Sequence, residues 1–388
     1  MTAIKKFFKA YWKFLVAGVV IGLVAIGLTL AGNPKNMGFC IACFLRDTAG
    51  GLNLHSADKV QYIRPEIIGI VLGAFVISLI TKEFRSTGGS SPLTRFILGA
   101  CVMIGALIFL GCPLRMVLRI GGGDLNALIG LVGFVGGIGV GMFFLNKGFT
   151  LKRSYTLPKL EGYIAPASSG LLFILVLAVP SLFAVSIAGP GSMHANIWLA
   201  LLGGLVVGVI GQRVRVCFVG GIRDSMMFKQ FQMLFVFGAL LVTMIVGNLI
   251  TSDFNLSMSG QPVAHQEWLW NILGLFLVGF GSVLLGGCPM RQLVMSGSGN
   301  SDSSITVIGM IFGAILAHTF KLASSADAVV NGEYVKGGAT TGGKIAFAVC
   351  LVVILLIAIF NTKRLFEKKK TSKIEIHEEK KTEISAEA

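Results

Sequence analysis

The feature that most constrains this chain is a series of apolar runs of about 18 or more residues, the length that crosses about 30 Å of hydrocarbon. Ten are readable, near 12–31, 65–81, 93–111, 125–146, 167–188, 194–212, 229–250, 267–286, 304–321 and 343–361. The 388 residues are 54% hydrophobic and 13% charged, with a mean hydropathy of +0.81. A soluble domain of this size has too little interior to hide that much apolar surface. The expected fold class is an all-α polytopic membrane protein with about ten transmembrane helices. Its 51 glycines suit close helix packing in lipid.

The formal charge of +15 would suit nucleic acid, but its placement excludes that partner. Lys5, Lys6, Lys9 and Lys13 precede the first run, and Lys363, Arg364, Lys368, Lys369, Lys370 and Lys373 follow the last. Segments after even-numbered runs are also basic: Lys82, Arg85 and Arg95; Lys147, Lys152, Arg153 and Lys159; Arg213, Arg215, Arg223 and Lys229. Residues 251–267 carry Asp253 and Glu267 but no Lys or Arg. By the positive-inside rule both termini are expected in the cytoplasm. The first run is too long for a signal peptide followed by so many others, and reads as a retained helix. The tail 363–388 alternates Lys with Glu and reads as a solvated, poorly ordered cytoplasmic end.

Self-similarity then divides the chain. Cys40, Arg46 and Asp47 recur at Cys217, Arg223 and Asp224, 177 positions later, and Gly-Cys-Pro-x-Arg at 111–115 recurs at 287–291, offset by 176. Gly121 and Gly123 fall on Gly297 and Gly299, and Asp124 on Asn300. Four runs per repeat with one unpaired run between them insert the second copy upside down, a transporter signature when helices are interrupted near the midplane. The expected division is a first inverted repeat at 1–147, a linker and fifth span at 148–192, a second inverted repeat at 193–322, a loop and tenth span at 323–362, and the tail. Short interrupted or re-entrant helices are expected at the motifs. Cys40 and Cys112 then belong to the outer half, Cys217 and Cys288 to the inner half.

The motif has physical content. Pro113 and Pro289 suit the first position of a helix, where a missing N–H costs nothing. Cys112 and Cys288 would cap those helices beside free N–H groups carrying partial positive charge, a geometry that binds anions. Arg115 and Arg291 add fixed charge that is expensive in a membrane and usually functional there. Gly121 and Gly297, with Gly123 and Gly299, are expected to permit tight turns. The Arg46–Asp47 and Arg223–Asp224 pairs are expected to staple short helices, the Asp neutralising the Arg.

Cys40-Ile41-Ala42-Cys43 invites a thiol-disulfide or zinc reading. Gly220 stands at the repeat position of Cys43, so Cys43 reads as incidental, and zinc lacks further ligands beyond His55. No metal and no cofactor are expected. Cys101 and Cys350 read as core packing, and His194, His265 and His318 do not recur. No acidic or histidine proton relay recurs either, and the 121–123 glycines lack a phosphate loop's Lys-Ser/Thr ending.

With these residues in view, the chain resembles the YeeE/YedE family of sulfur-transport membrane proteins, closest to a branch associated with selenium metabolism. The resemblance covers roughly 12–361 and rests on the paired Gly-Cys-Pro-x-Arg motifs and their cysteine partners. It implies a bacterial inner-membrane location, an hourglass of two pseudo-symmetric halves, and a thiosulfate-like or selenium anion passed along cysteines. On these positions Cys112 and Cys288 would face each other at the centre, with Cys40 and Cys217 leading to them. The expected function is transport of that anion rather than enzyme catalysis. A membrane thiol-disulfide oxidoreductase, or an auxiliary subunit of sulfur or selenium metabolism, stands as the alternative. Expected partners are the small inorganic anion and the lipid bilayer, with a cytoplasmic sulfur- or selenium-carrier protein as a further candidate.

Overall fold

The computed structural model describes residues 3–330 and 333–362, so the predicted tail 363–388 lies outside the described residues. Among the described residues fourteen helices follow in order: α1 (Ala3–Leu30), α2 (Ile41–Gly51), α3 (Pro65–Ile80), α4 (Pro92–Phe109), α5 (Pro113–Gly121), α6 (Leu125–Asn146), α7 (Lys159–Ala178), α8 (Ile197–Val214), α9 (Phe218–Phe228), α10 (Gln232–Ile250), α11 (Trp268–Leu284), α12 (Pro289–Gly297), α13 (Ser301–Thr319) and α14 (Thr341–Phe360). Two small antiparallel pairings complete it, β1 (Thr87–Gly88) with β2 (Tyr155–Thr156) and β3 (Ala328–Val330) with β4 (Glu333–Val335). Among the described residues nine segments are long and apolar enough to cross a membrane, and the sixteen-residue α3 makes the tenth. The chain is an all-α polytopic membrane protein.

Three of the long segments are broken helices, α4–α5, α8–α9 and α11–α12. The breaks follow from sequence. Leu110 turns into a left-handed conformation (φ 61°) and Pro113 restarts the chain as the first residue of α5. Gly286 (φ 79°) and Pro289 do the same before α12. Proline cannot continue the preceding helix but suits a helix start.

The packing pairs α1 with α10 and α8 with α3, then α4 with α13 and α11 with α6. In the same way α5 lies on α10 and α12 on α3, while α4 and α11 pack on each other. Each contact converts into another when α1–α6 are exchanged for α8–α13. The fifth span differs from the expected 167–188. Its helix starts at Lys159, carries Pro166 inside it and stops at Ala178, because Pro180 opens a 3₁₀ turn. It is almost wholly exposed, as a helix without a counterpart in the exchange.

Glycines bring the backbones together. A Cβ at Gly133 on α6 would collide with the Ile272 carbonyl oxygen on α11, whereas one at Gly139 would meet nothing. Such small-residue faces are how helices associate when lipid offers no hydrophobic drive. Gly133→Leu is therefore expected to lose stability by about 1–3 kcal/mol through overpacking, and Gly139→Leu to melt with the parent. Thermal melting of the two purified variants checks this.

Candidate functional site

All seven cysteines are free and buried. Five of them lie at the broken or re-entrant helix starts. Cys40 caps α2, its sulfur accepting from the Cys43 N–H at 3.5 Å, and Cys217 caps α9, accepting from the Gly220 N–H at 3.2 Å. Cys112 and Cys288 hold the capping positions of α5 and α12 on extended backbone and make no cap hydrogen bond through sulfur.

The thiols pair within each set of helices. Cys40 and Cys112 lie sulfur to sulfur at 3.8 Å, and Cys217 and Cys288 are neighbours in the same manner. The sequence reading set Cys112 opposite Cys288; the recorded sulfur contacts join each to its own first-motif cysteine. The cause is geometric: α2 and α5 start toward each other, and so do α9 and α12. Cys43 also proves to be part of the first cluster. Its thiol donates to the Leu110 carbonyl at 3.7 Å and lies 3.7 Å from an Arg115 nitrogen. Reading it as incidental was a consequence of the repeat alone, which has glycine at the matching position.

The two arginines of the Gly-Cys-Pro-x-Arg motifs are held differently. Arg115 is fully buried and wrapped by carbonyls, from Asn36 (3.2 Å), Pro262 (3.3 Å), Val263 (3.0 Å) and Leu110. Pro262 and Val263 belong to the 251–267 connection, which is six residues longer than its counterpart 81–91 and closes over the first cluster. His265 ties that cover down through its Nε2 and the Ile108 carbonyl at 2.8 Å. Burial lowers the His265 pKa from its ordinary value, keeping the ring neutral. Arg291 has no such wrapping. Its Nη1 is buried without a hydrogen-bond partner, while the neighbouring Gln292 donates to the Leu285 and Gly287 carbonyls.

A cavity of about 480 Å³ reaches the second cluster, lined by Cys217, Gly220 and Arg291 together with Tyr11 and Phe14 of α1. The first cluster follows the far end of α1. The two thiol pairs therefore lie toward opposite ends of that helix, one enclosed and one open to a cavity. Gly220 leaves part of this space empty where Cys43 fills it in the other half.

The Arg–Asp pairs form in both halves but in different settings. Asp47 accepts from Arg46 (2.7 and 2.9 Å) and, through its other oxygen, from Arg64 (2.8 and 2.9 Å), all of it buried. Arg64 continues to the Pro190 and Met193 carbonyls and stacks over Phe44. Arg223 and Asp224 pair at 2.8 Å but remain partly exposed. A further buried pair, Arg119 with Asp124 at 2.6 Å, joins the end of α5 to the start of α6, where Asp124 caps the helix. Sequence reading passed over Arg64 and Arg119 because neither recurs in the second repeat.

Gly121 and Gly297 do not supply the turns expected of them. They end α5 and α12 in close approach to Met244 and Val71, whereas Gly123 (φ 93°) and Gly299 (φ 96°) carry the left-handed backbone. Cys101 and Cys350, read as packing residues, are buried neighbours where α4 meets α14.

Broken helices with buried thiols and arginines at their starts set this chain apart as a polytopic membrane protein with polar groups in its interior. Within that class the chain belongs to the YeeE/YedE sulphur-transport family, whose profile, described as "Sulphur transport", matches residues 1–113 and 213–387. It is similar to two proteins named thiosulfate transporter TsuA. One, from Spirochaeta thermophila, is 35% identical over 105 residues, 26% of this chain and 31% of the relative. The other, from Escherichia coli, is 30% identical over 128 residues, 32% of this chain and 35% of the relative. The aligned part spans about a third of the length of these curated relatives.

Proposed function

We propose that this protein transports a small sulfur-containing anion of the thiosulfate class across the bacterial inner membrane. The observation that carries the reading is the two buried thiol pairs, Cys40–Cys112 and Cys217–Cys288, each at helix starts and each with a motif arginine close by. A neutral S–H is a weak donor suited to a soft, polarisable sulfur or selenium atom, while helix N–H groups and guanidinium hold the oxygens. Two thiolates would repel a dianion, so passage uses the neutral thiols. Several weak sites in series suit conduction, since the ion must leave each one. The inverted repeats at 1–147 and 193–322 supply one pair to each half of the path, and the positive-inside rule orients the cavity side to the cytoplasm.

Cys40, Cys112, Cys217, Cys288, Arg115 and Arg291 make up the proposed substrate path. The Arg46–Asp47 and Arg223–Asp224 pairs, Pro113 and Pro289, and Gly121 and Gly297 hold its shape. A selenium anion is a second substrate of the same chemistry, and a cytoplasmic carrier protein would receive it. Competition tests this in cells: uptake of labelled thiosulfate is expected to fall when unlabelled thiosulfate, sulfite, selenite or selenosulfate is added, thiosulfate competing best among the sulfur anions. Uptake equal to that of cells lacking the protein would contradict the proposal.

A further inference from the structure

Arg215 occupies a backbone conformation that side chains avoid. It caps α8 at φ 57°, and its repeat counterpart, 177 positions earlier, is Gly38 at φ 50°. Both stand two residues before the capping cysteine of the next helix, Cys217 or Cys40. Glycine enters the left-handed region without a steric penalty and arginine does not. The two positions also differ in their surroundings. A Cβ on Gly38 would press on Ala25 and Leu118, whereas Arg215 is exposed and lines the cavity that reaches Cys217.

A second cavity of about 270 Å³ shares two lining residues with the first, Arg215 and Arg291. The other charges around them are mostly occupied. Arg223 is paired with Asp224, and Glu83 lies beside Arg213 at 4.0 Å and Gln212 at 3.5 Å. Lys82 and Arg85 add positive charge to the second cavity. Arg291 lines both cavities, and its Nη1 is buried beside them without a hydrogen-bond partner. Two guanidinium groups around neighbouring cavities, one with an Nη1 that has no acceptor, match an oxyanion with two negative charges.

We propose that Arg215 and Arg291 form a dianion-binding site beneath the Cys217–Cys288 pair, with Arg215 setting the preference for doubly charged sulfur oxyanions. This deepens the transport reading and rests on it for the identity of the ion, but the site is a separate element. It loads or unloads the thiol pair at the cavity end of the path, where the shorter 81–91 connection lines the second cavity with Lys82, Glu83 and Arg85.

The test uses the purified full-length protein in detergent, with radiolabelled thiosulfate as probe and sulfate as competitor, alongside uptake in vesicles. Arg215→Gly restores the residue that the other repeat uses at this conformation, so its melting temperature should match or exceed the parent's. Its dissociation constant for thiosulfate should rise about tenfold or more, the loss of a charge-assisted contact. The fall in affinity with added salt should also become shallower. Arg215→Lys should recover part of the affinity, since it restores charge without the planar fork, and it serves as the second variant if Arg215→Gly is poorly folded. Equal affinity in the parent and Arg215→Gly, or no thiosulfate binding by the parent, overturns the site. If the parent fails to transport but binds thiosulfate, and Arg215→Gly loses that binding, the site stands and the transport reading falls.

Discussion

Cys112→Ala and Cys288→Ala should each lower uptake of labelled thiosulfate about 10- to 100-fold, with the protein still reaching the membrane in parental amount. The magnitude is that of one lost hydrogen bond to a charged group in a water-poor site, about 1.5–3 kcal/mol. Folding should be little affected, because neither sulfur caps its helix and only one small atom is removed from the core. Cys101→Ala and Cys350→Ala remove buried sulfurs of the same kind where α4 meets α14, away from the helix starts. Their uptake should stay within about twofold of the parent, a range set by packing changes alone. Uptake measured in one strain for all four variants separates the path from the core. Parental uptake in both Cys112→Ala and Cys288→Ala would sink the thiol path.

The second large effect concerns stability. Asp47 is 0% exposed and holds two arginines, Arg46 and Arg64, that are themselves 3% and 0% exposed. Asp47→Ala leaves two buried guanidinium groups without their counter-charge, a loss of about 3–5 kcal/mol. At the matching repeat position Asp224 pairs with Arg223, and the two side chains are 29% and 26% exposed. Water compensates there, and Asp224→Ala should cost about 0–1 kcal/mol. The expected result is a large drop in melting temperature for Asp47→Ala and almost none for Asp224→Ala. Equal melting of the two would mean that the buried triad does not hold α2 in place.

Much of the architecture was legible because apolar run length and proline placement are local signals. The ten spans, the breaks before Pro113 and Pro289, and the capping positions of Cys112 and Cys288 all follow from short stretches read alone. The fifth span was misplaced by several residues: the helix starts at Lys159, carries Pro166 inside it and stops before Pro180. The motif residues were found through the repeat, and the errors came from the same source. Cys43, Arg64 and Arg119 have no repeat counterpart, so the symmetry that exposed Cys112 and Cys288 hid them. The cover over Arg115 was signalled only by the extra length of 251–267, and carbonyl wrapping by Pro262 and Val263 leaves no side-chain signature to read. Arg215 was legible only as charge until its φ could be set beside that of Gly38.

The difference between the halves also orders the proposed path. One end has three thiols, a fully wrapped arginine and a cover; the other has two thiols, an arginine with a buried, unpartnered nitrogen and a cavity. An ion leaving the enclosed pair would meet the open one next, with Arg291 and Arg215 beyond it. The described arrangement is thus closed at the first cluster and accessible at the second.

The most direct measurement is flux of labelled thiosulfate into liposomes that contain the purified full-length chain and no other protein, beside liposomes carrying a Cys112→Ala, Cys288→Ala double variant. The expected result is saturable entry with the parent, competed by unlabelled thiosulfate, and entry near that of protein-free liposomes with the double variant. Entry with the parent no faster than into protein-free liposomes, or equal entry with parent and variant, would contradict transport through the paired thiols.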